Sequence, residues 1–311
     1  MCGIVGYLNR SGSGAGAPIG SILLGMLKSL DCRGPDSAGV AIFGPTRTPN
    51  LKLRIKLNGD ANLADSADRV RGIVSERVPV LESATVQEYL QLLVGPVQDA
   101  ESLLPPLEKD LDDFELVSGG RQLEIVKQVG SPTHLDTGYG ISMLTGTHGI
   151  GHTRLSTESR VDLSHSQPFG VHGVADLATV HNGHITNYHK LRGRYEQMGV
   201  RFFTENDSEV IGVYLAHQMS LGRTFREALE SSLDDFDGSF SYLAASGNEL
   251  AYAKDRFGFK PLLVAESEDW VAIATEEIAL RSTLAGDFDA LEPGVRRVRI
   301  WSLPEPAAEK V

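Results

Sequence analysis

Apolar positions follow a helical spacing in some segments of the chain and form short unbroken runs in others. Between Pro18 and Leu30 an apolar residue recurs every three or four positions, and the pattern ends before Gly34-Pro35. That spacing predicts a helix that buries one face. Residues 3–7 form a short apolar run, and residues 38–43 have the composition of a buried strand.

Two kinds of segment occur from Gly119 onward. Glycine-punctuated apolar runs predict strands at 122–127, 149–154, 171–181, 239–245, 250–254, 261–265 and 270–274, with another at 51–56. Helical spacing predicts helices at 187–197, 207–218, 223–233 and 276–283. Because strands and helices occur in runs and do not alternate regularly, the pattern favours an α+β layered sandwich.

Residues 46–118 differ in composition from the rest of the chain. From about residue 57 onward leucine and acidic residues dominate and glycine-rich turns are absent. Helices are predicted near 62–75, 86–94 and 100–114, so this segment is expected to be a largely helical insertion in a domain that covers 2–311. Residues 302–311 are predicted to be a polar tail.

Composition narrows the class of protein. The 311 residues are 41% hydrophobic and 23% charged, which is typical of a globular enzyme and excludes a disordered or collagen-like chain. A net charge of −12 without a block of Lys or Arg makes nucleic acid and anionic membranes poor partners. No apolar run approaches the roughly 20 residues of a membrane span, and no signal peptide pattern is present, so a cytoplasmic location is expected.

Cys2 is the first candidate for chemistry, since the chain has two cysteines and a disulfide framework is excluded. Removal of Met1 would leave Cys2 with both a thiol and an α-amine, whose pKa of about 7.7–8.0 suits a general base near neutral pH. Alternatively, Cys2 is a small buried residue at the start of a strand. Cys32, at the end of the first helix, is predicted to be a buried structural residue.

Several motifs accompany Cys2 in a fixed order. They are Met1-Cys2-Gly3-Ile4-Val5-Gly6, Arg33-Gly34-Pro35-Asp36-Ser37-Ala38-Gly39, Gly151-His152-Thr153-Arg154-Leu155-Ser156-Thr157, Gln167-Pro168-Phe169, His181-Asn182-Gly183-His184-Ile185-Thr186-Asn187, Asn206-Asp207-Ser208-Glu209, Asp255-Arg256-Phe257-Gly258-Phe259-Lys260-Pro261-Leu262 and Leu291-Glu292-Pro293-Gly294. In this order they resemble the class II glutamine amidotransferases, which are amino-terminal-nucleophile hydrolases. The resemblance covers about residues 2–45 and 119–300.

The resemblance implies a four-layer αββα sandwich and a role for each matched residue. Cys2 would be the nucleophile, and Asn182 and Gly183 would form the oxyanion hole. Arg154 would bind the α-carboxylate of glutamine and Asp207 its α-ammonium group. The remaining matches are Thr157, on a loop that covers glutamine, and the supporting residues Arg33, Asp36 and Ser37.

Each role has a plainer alternative on local sequence. Asn182-Gly183 is also typical of a hairpin turn after strand 171–181. Arg154 could be a surface ion-pair residue, and Asp207 could cap the helix that follows it. The residues around Asp36 could be a simple turn after a helix. The turn at 255–262 is expected to be structural.

Histidines cluster between His148 and His189, and His181 with His184 has a spacing that could ligate zinc. Because no accompanying cysteine or acidic ligand set is recognisable, no metal site is predicted. Amide hydrolysis by a thiol needs no cofactor, so none is expected in this chain.

The function that the resemblance implies is a glutaminase subunit that passes ammonia, or methylamine, to another chain. It is similar to the separate amidotransferase subunits of split glutamate synthase and N-methylglutamate synthase systems. Those systems imply glutamine as substrate, a flavin-containing glutamate synthase-like partner and a glycine-rich β-helix partner, with FMN and iron–sulfur clusters left to the partners. The alternatives are a stand-alone amidohydrolase of the same nucleophile class and a catalytically silent assembly subunit.

Overall fold

The computed structural model of the chain describes residues 2–10, 18–57, 62–156 and 160–303. Its strands are β1 (Gly3–Asn9), β2 (Ser37–Phe43), β3 (Leu51–Lys56), β4 (Val80–Val86), β5 (Tyr89–Val94), β6 (Glu115–Gly120), β7 (Leu123–Val129), β8 (His148–Arg154), β9 (Phe169–Gly170), β10 (Leu177–Ile185), β11 (Gly238–Ser246), β12 (Glu249–Lys254), β13 (Leu263–Glu266), β14 (Trp270–Ala274), β15 (Ala290–Leu291) and β16 (Arg297–Ser302). Its α-helices are α1 (Ile19–Ser29), α2 (Leu63–Ser75), α3 (Ala100–Asp110), α4 (Pro132–Tyr139), α5 (Tyr188–Gln197), α6 (Glu209–Ser220), α7 (Phe225–Asp235) and α8 (Glu277–Arg281).

Two stacked sheets form the centre of the molecule. One has seven strands in the order β15-β13-β14-β1-β8-β2-β7, and the other has five in the order β16-β12-β11-β10-β9. Strand β1 shows how the layers arise, because successive side chains point to opposite faces of a sheet. Ile4 and Leu8 enter the core between the sheets, whereas Val5 and Tyr7 enter the core shared with α1 and α8. Helices α5, α6 and α7 cover the five-stranded sheet on its outer face. The predicted α+β four-layer sandwich is confirmed.

Glycines in β8 bring α1 unusually close to the seven-stranded sheet. A Cβ added at Gly149 would lie 2.8 Å from Leu23 Cδ1, and one at Gly151 would lie 3.1 Å from Leu27 Cδ1. At Gly149 the added Cβ would also lie 2.6 Å from the backbone carbonyl oxygen of Ala41, which leaves no room for a side chain there. The close packing fixes β8, whose last residue is Arg154.

The insertion is a smaller α/β layer, which corrects the prediction that it is largely helical. Its four-stranded sheet has the order β4-β5-β3-β6, and α2 and α3 pack on one face of that sheet. The predicted helix at 86–94 is wrong, because β5 occupies 89–94. Leu90, Leu92 and Val94 alternate toward the core of this layer. A leucine-rich run this short fits a strand period as well as a helical one, so the period alone misled the prediction.

Smaller differences concern boundaries and exposure. The strand predicted at 171–181 is β10 and runs from Leu177 to Ile185, and α4 was not predicted. Ser302, placed in the polar tail, ends β16, while 304–311 lie outside the described residues. Cys32 is exposed, not buried as predicted. Within the described ranges, every helix is too short or too polar to cross a bilayer.

Candidate functional site

A cleft of about 760 Å³ opens where β1, β8 and β10 meet the start of α6. Five of the sequence-predicted residues line it, namely Cys2, Arg154, Asn182, Gly183 and Asp207. These residues are far apart in sequence, and the sandwich brings them together because β1 pairs with β8 while β10 packs across from both. Arg33, Asp36 and Ser37 are not among the lining residues. Thr157 lies outside the described residues.

Cys2 stands immediately before β1 and is half-buried. Its Sγ lies 3.8 Å from the carbonyl oxygen of Leu155, which can accept a hydrogen bond from the thiol. The side-chain amide of Asn182 donates to the carbonyl of Cys2 at 3.2 Å. The Cys2 backbone is therefore held by Asn182, and Cys2 lines the cleft.

Asn182 and Gly183 lie inside β10, where they pair with Ser241 and Phe240 of β11. The alternative of a hairpin turn at these two residues is therefore wrong. Gly183 has φ +146°, and a Cβ there would lie 2.3 Å from the carbonyl oxygen of Ser239. Only glycine fits both the backbone conformation and the space. This irregular strand conformation places the Gly183 backbone at the cleft.

Arg154 ends β8 and is 4% exposed, so it is not a surface ion-pair residue. Its Nη1 donates to the carbonyl of Arg160 at 2.8 Å, which ties the guanidinium to the backbone at Arg160. Burial lowers the pKa of Arg154, and the neighbouring Cys2, Asp162 and Asp36 raise it. A guanidinium remains protonated through such shifts. The cleft therefore has a fixed positive charge on this wall.

Asp207 supplies a carboxylate to the lining of the cleft. The residue that caps α6 is Ser208, and Asp207 Oδ2 instead accepts from the backbone N–H of Ile185 at 2.8 Å. The alternative of a helix-capping Asp207 is therefore not what the structure shows. The bond to Ile185 joins the start of α6 to the end of β10, directly beside Asn182 and Gly183.

Asp36 holds the backbone that follows β8. Its Oδ2 accepts from the N–H of Ser156 at 2.7 Å, and its own N–H donates to the carbonyl of Arg154 at 3.0 Å. Ser37 is buried at the start of β2, opposite Arg154 in the sheet register. Arg33 forms an ion pair with Glu276. These three residues lie behind the cleft, and Asp36 has the most direct contact with its wall.

Gln167, His181 and Ser208 form a hydrogen-bonded group that the sequence did not single out. Gln167 Oε1 accepts from the N–H of His181 at 2.7 Å, and its Nε2 donates to Ser208 Oγ at 3.0 Å. His181 Nδ1 shares a 2.8 Å hydrogen bond with the same hydroxyl. Burial lowers the pKa of His181, although Asp207 raises it. All three residues belong to the motifs that carry the family resemblance, and those motifs are the signal from which the group could have been predicted.

The histidine pair considered for zinc does not form a ligand set. His181 is buried and His184 is exposed, as expected for residues three positions apart on one strand, whose side chains point to opposite faces. In the part of the chain that the structure describes, no group of three or more His, Cys, Asp or Glu side chains could hold a metal ion.

Comparisons with known proteins identify the family of the chain. Residues 152–282 match the family described as the glutamine amidotransferase domain. The chain is 36% identical over 309 residues to a putative glutamine amidotransferase of Methanothermobacter thermautotrophicus, covering 96% of this chain and 99% of that protein. It is 32% identical to the glutamine amidotransferase-like protein GlxB of Rhizobium meliloti, covering 99% and 96% respectively.

Longer proteins match in part. The amidophosphoribosyltransferase of Methanocaldococcus jannaschii is 32% identical over 57% of this chain and 38% of its own length. A solved structure described as the allosteric regulatory enzyme of purine biosynthesis has a TM-score of 0.62 at 19% identity, covering 97% of this chain and 47% of that one. The chain thus spans about half the length of that solved structure, and the likeness shows a shared fold.

Proposed function

The chain belongs to the class II glutamine amidotransferases, and we propose that it releases ammonia from glutamine at the Cys2 cleft and delivers it to a separate synthase chain. The observation that carries the proposal is the shared cleft of Cys2, the Asn182-Gly183 pair, Arg154 and Asp207. It combines a thiol, oxyanion donors, a cation and an anion. A free α-amino acid with a side-chain amide presents the complementary groups.

Cys2 is the proposed nucleophile. After Met1 is removed, the neutral α-amine of Cys2 takes the thiol proton, since its pKa of about 7.7–8.0 is close to neutral pH. The thiolate attacks the amide carbon of glutamine, and Asn182 Nδ2 and the Gly183 N–H stabilise the oxyanion. The protonated amine returns its proton to the departing nitrogen, which leaves as ammonia. Water then hydrolyses the γ-glutamyl thioester to glutamate and restores the thiol.

The two charged walls are proposed to bind the ends of the substrate. Arg154 suits the α-carboxylate because a guanidinium binds carboxylates through two parallel hydrogen bonds. Asp207 suits the α-ammonium group, since its carboxylate lines the cleft and is held in place through Oδ2, which accepts from Ile185 N–H at 2.8 Å, and Oδ1, which accepts from Ser208 Oγ at 3.4 Å. Asp36, with Ser37 and Arg33 behind it, is proposed to support the Arg154 wall. A hydrogen bond from Thr157 to glutamine stays a prediction.

The acceptor of ammonia is proposed to be a flavin-dependent, glutamate synthase-like chain that holds FMN and iron–sulfur clusters, assembled with a glycine-rich β-helix chain. In this proposal the protein acts in the cytoplasm as an N-methylglutamate synthase A subunit or its glutamate synthase counterpart. Two relatives matched over almost their full length are named for glutamine amidotransferase alone. The amidophosphoribosyltransferase, in contrast, matches over 38% of its length. This difference favours an amidotransferase encoded apart from its acceptor chain.

The nucleophile is tested by labelling the full chain with a glutamine analogue that carries a diazoketone. Intact-mass analysis should show loss of Met1 and one added label, because the N-terminal thiolate displaces N2 from the protonated diazo carbon and forms a stable thioether. Cys2→Ala should remove both the label and glutamine turnover, whereas Cys32→Ala, at an exposed thiol outside the cleft, should retain both. A chain that keeps Met1, or a label on Cys32, would reject the mechanism.

The acceptor is tested by native purification of the full chain, with mass spectrometry and flavin absorbance of what accompanies it. Glutamine turnover should rise when the flavin chain is present. High turnover by the isolated chain without any partner would instead indicate a stand-alone amidohydrolase. A correctly assembled complex with no glutaminase activity would indicate a silent assembly subunit. Parallel assays with glutamine and its N-methyl amide distinguish ammonia from methylamine as the product.

A further inference from the structure

Two phenylalanines project from the turn at 255–262, next to the mouth of the cleft. Phe259 is 76% exposed and Phe257 is 46% exposed. Their rings are stacked, with centroids 5.9 Å apart and an interplanar angle of 11°. We name these two residues the phenyl pair. Large aromatic side chains that stand together in solvent are typical of binding hot spots.

The turn that carries the phenyl pair is held rigidly. The buried carboxylate of Asp255 accepts from the backbone N–H groups of Phe257, Gly258 and Phe240, the last two at 3.0 and 2.7 Å. Gly258 has φ +69°, a conformation that favours glycine. The pair is therefore presented in a fixed position, which lowers the entropy lost when a partner binds.

The same turn is continuous with the cleft. Lys260 is one of the cleft-lining residues, and its carbonyl accepts from Ser241 Oγ at 3.0 Å. Ser241 is the partner of Asn182 in the register of β10 and β11. A chain that covers the phenyl pair would thus lie over the mouth of the cleft, beside the oxyanion donors.

A cation stands at the edge of the phenyl pair in a protein with a net charge of −12. The guanidinium of Arg256, an exposed residue, lies 4.9 Å from the ring centroid of Phe257. Val295, which contacts the turn at Gly258, adds 55% exposed apolar surface. The surface is therefore apolar in its centre and carries the positive charge of Arg256 at its edge. Its complement is an apolar hollow edged by carboxylates.

We infer that the phenyl pair and its arginine edge form the docking surface for the flavin-containing acceptor chain, which meets it with an apolar hollow edged by Asp and Glu. The inference rests on the proposed function, because that function supplies the acceptor chain. Docking here closes the open mouth of the cleft against water, so ammonia leaves toward the acceptor and is not protonated in bulk solvent.

The test uses the full chain and the flavin-containing chain recovered in the native purification. The double variant Phe257→Ser/Phe259→Ser should bind the flavin chain at least about tenfold more weakly, as expected for removal of two hot-spot aromatics. Its glutaminase rate as an isolated chain should be unchanged. Leu221→Ser is the matched control, since Leu221 is 64% exposed at the far end of α6 and should bind normally. Arg256→Glu should also weaken binding, most strongly at low salt.

Each other result overturns the inference in a distinguishable way. If the flavin chain binds the double variant as tightly as the wild type, this docking surface is wrong while the proposed function stands. If the double variant converts a wild-type dimer into a monomer in light scattering and leaves flavin-chain binding intact, a second copy of this chain occupies the surface. If no flavin chain accompanies the protein at all, the docking surface and the proposed acceptor both fail, although labelling of Cys2 still tests the glutaminase.

Discussion

The interior between the two stacked sheets and the junction between insertion and sandwich are both buried, yet they are held together by different interactions. Between the stacked sheets, the hydrogen bonds made by the buried histidines of β8 are neutral. His148 donates to the carbonyl of Ser246 at 2.7 Å and His152 to that of His181 at 3.1 Å. Burial lowers the pKa of His148 to about 4 and that of His152 to about 3, so both are uncharged at neutral pH.

The junction, in contrast, is held by ion pairs. They join β3 to β7, β6 to β7, and α3 to the segment after β9, and their members are Arg54 with Glu124, Lys127 with Glu115, and Glu108 with His172, which also pairs with Glu209 of α6. The burial of Glu115 would raise its pKa, but Lys127, Ser164 and Lys56 lower it below the usual value. The carboxylate therefore stays charged in the interior, where it depends on its partners.

The comparison shows how the insertion is connected to the site. Ser164 Oγ donates to Glu115 at 2.5 Å, so the segment around Ser164, four residues after Arg160 of the cleft lining, is bound to β6. Glu209, at the other side of the cleft, accepts from the backbone of Thr204 at 3.0 Å and from His172 at 3.2 Å. Both cleft walls thus contact the charged junction. The histidine hydrogen bonds between the stacked sheets, which involve no charged side chains, should therefore tolerate changes of pH that the junction does not.

Loss of one charge at the junction should have the largest effect. Lys127→Met leaves Glu115 buried with a weaker set of partners, and removal of one member of a buried pair typically costs about 3–5 kcal/mol. The free energy of unfolding, measured in urea, should fall by about that amount. Arg226→Met removes an exposed pair with Glu230 on α7 and should cost less than about 1 kcal/mol. Equal losses in the two variants would contradict the buried-charge account.

For an uncharged residue of the cleft, the expected effect of a substitution is on the rate of glutamine turnover. Asn182→Ala removes one oxyanion donor and should lower kcat about 10²- to 10³-fold, while the free energy of unfolding changes little. Steady-state kinetics with glutamine and urea unfolding of the same protein separate the two quantities. A variant that loses stability in proportion to activity would show that Asn182 mainly holds Cys2 in place through their 3.2 Å hydrogen bond.

The difference between the cleft and the junction also explains which features could be predicted from the sequence. Cys2, Asn182-Gly183 and Asp207 stand in short motifs, so their meeting in one cleft followed from the family resemblance. The junction has no motif: Lys127, Glu115 and His172 look like ordinary polar positions until the fold buries them. The strand β5 was missed for a related reason, since its alternating pattern has meaning only once the insertion has a core of its own.

Arg154 shares a feature with each of the two regions, since it is a buried charge like those of the junction and it lines the cleft. Arg154→Lys keeps the charge but loses the planar fork, so the KM for glutamine should rise by about tenfold or more. Alkylation of Cys2 by iodoacetamide, which has no α-carboxylate, should proceed at the wild-type rate. If both change together, Arg154 orders the loop through its 2.8 Å bond to Arg160 and does not bind substrate.

The pH dependence of stability should give the smallest effect and the clearest separation of the two regions. Burial lowers the pKa of His172, but Glu108 of α3 and Glu209 of α6 outweigh it and raise that pKa to about 10. Since the folded value lies above the unfolded one, the stabilisation is complete below about pH 6.5 and is lost as pH rises toward 10. Between pH 7.5 and 8.5 the wild type should lose about 1.4 kcal/mol more than His172→Gln, which does not titrate. Urea unfolding at each pH measures this difference, and parallel pH profiles for the two proteins would show that the His172 link is not ionic.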